Sequence, residues 1–204
     1  MTKKIDTTIL LAQYYDSKGI IHAISIADYL GMVNIKDKEA IADFLYNRLH
    51  ARYLKPFFFN DNLFNEQYKN GFSIMANCCM LIETLESFKQ GLGDSNRKSK
   101  QLFNDFLAND LNFSVFQSRE TEFYFSIRCG ILHQGETTNG WIISRKGTVL
   151  FDPIKLKVNA VIFMQNLEES LKDYCLSLVQ SDWSDLIWQN FLKKMSVSIA
   201  NCSR

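Results

Sequence analysis

The chain has 204 residues, of which 47% are hydrophobic and 22% are charged, and its formal net charge is +1. This length suits one sizeable domain, and the apolar content is too high for a disordered chain. A net charge close to zero excludes a long-range basic field, so any binding of phosphate groups has to come from a local cluster of cations.

The cysteine pattern indicates reduced thiols in a cytoplasmic protein. The five cysteines are odd in number, and none belongs to a C-x-x-C pair with a matching second pair, so we expect no zinc site. The sequence offers no obvious metal cluster, and we expect no metal and no cofactor. The N-terminal segment has only a brief apolar run and does not resemble a secretion signal. No stretch reaches the roughly eighteen apolar residues of a membrane span, so we expect a soluble protein that does not bind membranes.

The scarcity of helix-breaking residues predicts a mainly α-helical fold, arranged as a helical bundle. The chain contains only two prolines and nine glycines, so long helices are allowed. We expect N-terminal helices over residues 1–60. The clearest of them runs from Lys38 to Leu54, with Asp37 as its N-cap and Pro56 as its stop signal.

The middle of the chain predicts further helices separated by polar loops. A long helix is expected over residues 65–91, where apolar side chains recur along one side and glycines end the pattern. A polar loop and a shorter helix over residues 100–109 follow. Ser114 and Gln117 have the spacing of a capping box, which predicts that the next helix begins there.

Residues 141–151 interrupt the helical pattern. Two β-prone runs flank the Lys146–Gly147 turn, which predicts a small β-hairpin inserted between helices. Two amphipathic helices then close the chain, and Ser181 is the expected cap of the second. The predicted organisation is a single domain, in which the N-terminal helices precede a core over residues 65–180 and a closing helix over residues 181–204.

The segment "SIRCGILHQGE", residues 126–136, places Arg128 five positions before His133. On an α-helical wheel these two side chains lie about 140° apart. The arc between them also holds apolar or small side chains, namely Phe125, Leu132 and Cys129. We expect another surface to cover this apolar arc, and Gly130 would permit close approach by another backbone. Because closed two-fold dimers are the commonest oligomers, a second copy of the chain is the simplest cover.

Two copies of Arg128 and His133 that met across a two-fold axis would form one cationic pocket suited to RNA. A histidine can take the proton from a ribose 2′-hydroxyl and return a proton to the leaving 5′-oxygen. An arginine offers a planar fork of donors to the negative charge that develops on phosphorus. Neither step requires a metal ion.

The run "F-Y-F-S-I-R-C-G-I-L-H-Q-G-E", followed by a further amphipathic helix, resembles the R-x4-6-H signature of the HEPN superfamily (higher eukaryotes and prokaryotes nucleotide-binding). Many members are metal-independent endoribonucleases of toxin–antitoxin, CRISPR or phage-defence systems, and they are helical bundles that dimerise to form a shared site. The resemblance implies a homodimer that cleaves RNA in defence or growth control and leaves 2′,3′-cyclic phosphate ends. It also implies His133 as catalytic acid and base, Arg128 as phosphate contact, and a protein antitoxin or defence component as partner.

Two neighbours of the motif are candidate supporting residues. Cys129 follows the arginine where the family commonly has Asn, Asp or His, a position that helps to orient the site. Glu136 would lie in the same arc, and could orient His133 or Arg128, if the helix continued past Gly135. Because some family members bind without cleaving, a non-catalytic module that binds a nucleotide or a protein is the alternative function.

Three other interpretations of these residues stay open. Arg128 and His133 also fit a polar seam within a packed helix. Cys129 and His133, one turn apart, fit a Cys–His nucleophile, although no orienting third group is recognisable. The long helix carries polar residues that fit either a pocket lining or a solvated face: Ser73, Asn77, Thr84 and Ser87, with Glu83 nearby.

Overall fold

The computed structural model describes residues 5–58 and 66–202. Within these ranges most residues lie in helices, and the strands form two small β-sheets. The predicted mainly α-helical fold is therefore confirmed. Among the helices of the described ranges, none combines the length and the apolar character needed to cross a bilayer.

The chain forms two compact units, each made of discontinuous segments. Unit 1 comprises Met1–Arg52, Ser87–Asp94 and Leu171–Arg204, and unit 2 comprises Tyr53–Glu86 and Ser95–Ser170. The Arg128–His133 motif therefore belongs to unit 2. Single-domain organisation stays a prediction for this chain.

Unit 1 begins with an antiparallel hairpin of strands β1 (Leu10–Tyr15) and β2 (Ile21–Ser25). Asp16 closes the turn, because its Oδ1 accepts hydrogen bonds from two backbone N–H groups of the turn at 2.8 and 2.9 Å. The prediction of helices throughout residues 1–60 is wrong over this stretch. Two runs of β-branched and aromatic residues flank the turn sequence D-S-K-G, and this pattern favours a hairpin.

The other N-terminal elements are helical, as predicted. Helix α1 (Ile26–Asn34) follows β2 directly, and helix α2 (Lys38–Leu49) begins after its N-cap Asp37. The Asp37 carboxylate accepts a hydrogen bond of 3.0 Å from a backbone N–H of the first turn of α2, which confirms the cap. Beyond α2 the chain continues through a π-helical turn (His50–Leu54) and a 3-10 turn (Lys55–Phe57).

Unit 2 contains the central helices of the chain. They are α3 (Gly71–Lys89), whose last turn passes into unit 1, α4 (Ser99–Asn109), α5 (Glu120–Phe123) and α6 (Gly130–Gln134). Helix α3 starts later than predicted, and the expected first residue, 65, lies outside the described ranges. Its end is as predicted, because Gly91 adopts a φ of 63°.

The predicted capping box at Ser114 is wrong. Ser114 lies within a 3-10 turn (Leu111–Phe116), and the following helix begins only at Glu120. The carboxylate of Glu120 accepts a hydrogen bond of 2.9 Å from the backbone N–H of Ser118. The side chain of Glu120 thus bonds back to the backbone just before the helix and stabilises its start. The S-x-x-Q spacing predicted this start six residues too early.

Aromatic rings fill the core of unit 2. Phe123 stacks on Phe163 with ring centroids 5.5 Å apart, and Phe116 lies 4.9 Å from Phe151. Each of these side chains is buried. Such rings remove large apolar areas from water and prefer offset or edge contacts. Phe123 is the last residue of α5, so this core holds the start of the Arg128 segment in place.

The second sheet differs from the predicted hairpin. Its strands are β3 (Ile142–Ser144), β4 (Phe151–Asp152) and β5 (Lys157–Asn159), and β5 lies in the centre, parallel to β3 and antiparallel to β4. The two runs that were predicted to pair with each other therefore each pair with β5 instead. The amide Nδ2 of Asn159 donates a hydrogen bond of 3.0 Å to the Gly147 carbonyl, so the Lys146–Gly147 turn is held against β5.

Two long helices close the chain, as predicted. They are α7 (Ala160–Gln180), which passes from unit 2 into unit 1, and α8 (Leu186–Ala200). The N-cap of α8 is Asp185, not the expected Ser181. The carboxylate of Asp185 accepts a hydrogen bond of 2.9 Å from the backbone N–H of Asp182, and this bond orders the turn before the helix.

Candidate functional site

The segment that carries Arg128 is a π-helical turn (Tyr124–Cys129), between α5 and α6. The backbone N–H of Gly130 donates to the Phe125 carbonyl five residues earlier, which is the π-helical bond. Short π-helical turns inside α-helices are frequent at functional sites.

The two motif side chains are in contact, although Arg128 lies in the π-helical turn and His133 lies in α6. Nη1 of Arg128 lies 3.3 Å from Nε2 of His133. A guanidinium only donates hydrogen bonds, so Nε2 of His133 is the acceptor and carries a lone pair in this arrangement. His133 is exposed, whereas Arg128 is largely buried. The motif therefore presents an imidazole at the surface, beside a fixed cation.

Glu83 of α3 holds Arg128 in place. Its Oε1 accepts hydrogen bonds from Nη2 and Nε of Arg128 at 2.7 and 2.9 Å, and a third from Oγ of Ser99 at 2.8 Å. The side chains of Glu83 and Arg128 are only 13% and 15% exposed. A buried ion pair with several hydrogen bonds fixes the geometry of both partners.

Burial and Glu83 act in opposite directions on the charge of Arg128. Burial alone would lower the pKa of the guanidinium, but the hydrogen bonds and the negative charge of Glu83 outweigh it, and the pKa of Arg128 is raised. Arg128 therefore stays cationic. Its guanidinium also lies over the ring of Tyr124, with Cζ 5.6 Å from the ring centroid, which adds a favourable cation–π contact.

Cys129 directly follows Arg128 in the chain and is half-buried. Burial raises the pKa of the neighbouring Tyr124 hydroxyl. The role of Cys129 as a supporting residue stays a prediction.

Gly130 allows a close backbone approach, and the approaching backbone belongs to the same chain. Gly135, with a φ of 73°, ends α6 in the left-handed conformation, and the chain then folds back over the helix. A Cβ atom at position 130 would overlap the carbonyl oxygen of Glu136 and lie 3.4 Å from Cα of Thr137. Gly130 therefore accommodates residues 136 and 137 of its own chain, and not the backbone of a second copy as expected from the sequence.

Glu136 lies beyond the end of α6 and is exposed. Its backbone N–H donates to the Gly130 carbonyl at 3.3 Å. Within the described ranges its side chain makes no hydrogen bond to Arg128 or His133. The carboxylate that orients the pair in this structure is therefore that of Glu83.

We expect Gly130→Ala to destabilise the protein by about 1–3 kcal/mol, the usual cost of overpacking, because the new methyl group meets backbone and not a flexible side chain. Urea denaturation measures this free energy of unfolding. Gly140→Ala is the matched control for a nearby glycine with open space around its Cβ position; its φ of 78° adds a strain of its own but no collision. Equal stability of Gly130→Ala and the wild type would contradict the close approach.

The polar stripe on α3 consists mainly of locally satisfied groups. Nδ2 of Asn77 donates to the Ser73 carbonyl at 2.9 Å, and Oγ1 of Thr84 donates to the Met80 carbonyl at 2.8 Å. These side chains bond to their own helix, so they do not converge on Arg128. Of the acidic and polar residues on this face, Glu83 is the one that reaches the motif.

Glu83 has a signal in the sequence. In the run "GFSIMANCCMLIETL", residues 71–85, it is the single charged residue, and Arg128 is likewise the single formal charge in "YFSIRCGILHQ", residues 124–134. A lone charge on an otherwise apolar helix needs an opposite partner when it is buried. One lone anion and one lone cation on such helices therefore indicate a pair.

Among the described residues no group of three or more histidine, cysteine, aspartate or glutamate side chains is arranged to hold a metal ion. Comparison with protein-family models, with curated proteins and with solved structures finds no match to this chain. The site is therefore interpreted from its own geometry.

Proposed function

We propose that this chain is a cytoplasmic, metal-independent endoribonuclease of the HEPN type, a helical bundle whose site centres on Arg128 and His133. The observation that carries the proposal is the 3.3 Å contact between Nη1 of Arg128 and Nε2 of His133 at the protein surface. It pairs a group able to accept a proton with a permanent cation, which are the two groups that RNA cleavage by its own 2′-hydroxyl requires.

In the proposed reaction, a phosphate oxygen of the RNA takes the place of His133 as the acceptor for Nη1 of Arg128. Nε2 of His133 then removes the proton from the adjacent 2′-hydroxyl, and the 2′-oxygen forms a bond to phosphorus. The bond between phosphorus and the 5′-oxygen breaks, and the imidazolium of His133 that formed in the first step returns its proton to that oxygen. The products carry a 2′,3′-cyclic phosphate and a 5′-hydroxyl, and the cation of Arg128 offsets the charge that develops on phosphorus.

The surface around the pair supports a homodimer. Phe125 is 49% exposed and Leu132 is 39% exposed, and they lie three residues before and four residues after Arg128. Exposed apolar side chains beside a polar site are typical of interfaces. A second copy that covered them would bring two Arg128–His133 pairs together and exclude water. We also propose a role in defence or growth control, with a protein antitoxin or defence component as partner.

The test of the reaction is RNA cleavage by the purified chain in excess EDTA, with analysis of the product ends. We expect cleavage that is unaffected by EDTA and products with 2′,3′-cyclic phosphate and 5′-hydroxyl ends. Sedimentation at several protein concentrations is expected to show a dimer. An absence of cleavage under any condition, or cleavage that EDTA abolishes, would overturn the assignment.

The second candidate is a non-catalytic module that binds a nucleotide or a protein through the same surface. The observation that favours it concerns Arg128, whose Nε and Nη2 donate hydrogen bonds to Glu83. Only Nη1 is directed at His133, so two of the three guanidinium nitrogens are already used within the protein. Tight binding of a nucleotide that survives His133→Ala, without turnover in the wild type, is the result expected of this candidate. Measurable cleavage by the wild type would exclude it as a full account.

A further inference from the structure

A cleft in unit 2 concentrates positive charge away from the Arg128–His133 pair. It is lined by Glu66, Lys69, Gly71, Phe72, Ile143, Ser144, Arg145 and Lys146. Among the described residues that line it, Lys69, Arg145 and Lys146 are cationic and Glu66 is anionic. Phe72 is an exposed aromatic ring within the same cleft.

Local contacts fix the shape of this cleft. Nη1 of Arg145 donates a hydrogen bond of 2.8 Å to Oδ1 of Asn70, the residue before α3. Oγ of Ser144 donates to the Lys146 carbonyl at 3.0 Å and accepts from its backbone N–H at 3.1 Å. A Cβ atom at Gly71 would lie 3.1 Å from Cγ2 of Ile143, so β3 packs tightly against the start of α3. These contacts therefore hold the backbone that carries Arg145 and Lys146.

We infer that this cleft binds the phosphate backbone of single-stranded RNA several nucleotides away from the bond that is cleaved. Cations in a groove attract successive phosphates, and an exposed aromatic ring accepts a stacked base of any sequence. Lys69 and Lys146 supply the charge, and Phe72 supplies the stacking surface. This inference rests on the proposed function, because it assigns the cleft to the same substrate.

Helix α3 connects the cleft to the proposed catalytic pair. Phe72 and Glu83 are eleven residues apart on α3, which corresponds to about 16 Å of rise and about 20° of rotation in an α-helix. The two residues therefore lie on the same face, and Glu83 holds Arg128 directly. A stacked strand advances about 3.4 Å per nucleotide, so about five nucleotides span this distance. The cleft would thus bind longer RNA and leave a dinucleotide unaffected.

The experiment measures binding of a 2′-O-methyl RNA octamer, which cannot be cleaved, to the full chain at several salt concentrations. We expect Lys69→Gln/Lys146→Gln to weaken binding roughly tenfold, and to reduce the slope of log K against log salt by about 1.4, or about 0.7 for each lost phosphate contact. Phe72→Ala is expected to weaken binding with an unchanged slope, because stacking releases no counterions. Cleavage of a dinucleotide by these variants is expected to match the wild type.

The matched control is Lys155→Gln/Lys193→Gln, which removes the same charge from exposed lysines outside the cleft. It should leave the affinity within about twofold of the wild type, as expected for charges that contact no phosphate. The inference would be overturned if both double variants lost affinity equally or if Lys69→Gln/Lys146→Gln kept the wild-type affinity. It would also be overturned if the octamer did not bind. Octamer binding that depends on the cleft, without cleavage of any RNA, would instead remove the proposed reaction and leave the cleft assignment standing.

Discussion

Replacing His133 with alanine is expected to lower the rate of RNA cleavage in EDTA by about 10²–10⁴, the range that a positioned acid–base group contributes. In the structure Nε2 of His133 lies on the protein surface, where it is the acceptor beside Nη1 of Arg128. No other imidazole belongs to the described part of unit 2, since His22 and His50 lie in unit 1. The loss should be in the chemical step, and RNA affinity should stay within about twofold, because the fixed cations of the protein supply the phosphate contacts.

The matched control for this prediction is His22→Ala. His22 also contacts a charged side chain, since its Nε2 lies 3.1 Å from Oδ2 of Asp16. It belongs to the hairpin of unit 1, so its removal should leave cleavage unchanged. Single-turnover rates and RNA affinity are measured for both variants. Cleavage by His133→Ala at the wild-type rate would remove His133 from the reaction, and equal losses in both variants would indicate a general effect on folding.

The helices of this chain could be predicted from sequence where local signals and burial agree. The cap at Asp37 and the glycine at position 91 mark helix ends through local chemistry, and both operate as expected. The hairpin at residues 10–25 was missed because the scarcity of proline and glycine favoured helix over the first 60 residues, although β-branched runs flank its turn. The β3–β5–β4 sheet was missed because its central strand follows the two predicted runs in sequence, and such pairing depends on tertiary contacts.

The sequence names Arg128 and His133 as candidates, but it predicts neither their contact nor the pairing of Arg128 with Glu83. The sequence places Arg128 and His133 on one segment, and an ideal wheel sets them about 140° apart. Arg128 lies in a π-helical turn, which an α-helical wheel does not describe, and no local signal in the run "YFSIRC" specifies that turn. Glu83 lies 45 residues before Arg128, so their pairing is a property of the folded chain. The return of the chain over Gly130 is likewise tertiary, which explains why a second copy was the expected neighbour.

Removing the carboxylate of Glu83 is expected to have the second large effect. Glu83→Ala leaves a largely buried guanidinium without its partner, and we expect a loss of about 2–3 kcal/mol in the free energy of unfolding, below the 3–5 kcal/mol of fully buried pairs because both side chains retain some exposure. A double-mutant cycle with Arg128→Ala should give a coupling energy of about 1–3 kcal/mol, as found for residues in one network.

The same unit offers a matched control pair, Arg119 and Glu122. Their contact of 3.0 Å is similar in length, but the side chains are 35% and 39% exposed, so water screens it. A cycle on this pair should give about 0.5 kcal/mol or less. Equal coupling energies in the two cycles would contradict the argument that burial strengthens the Glu83–Arg128 pair.

Glu83 is also expected to act on cleavage as a positioning residue, through Arg128. Glu83→Ala should reduce cleavage by about 10², the loss expected when a contact group is misplaced by about 1 Å. Glu83→Gln keeps an oxygen that can accept from Nη2 of Arg128, so it should recover part of the rate even though it does not restore the charge.

If Glu83 had only a structural role, both variants would lose activity in proportion to their loss of stability. Cleavage rates measured well below the unfolding temperature separate the two outcomes. Full activity in Glu83→Ala would show that the orientation of Arg128 does not limit the reaction.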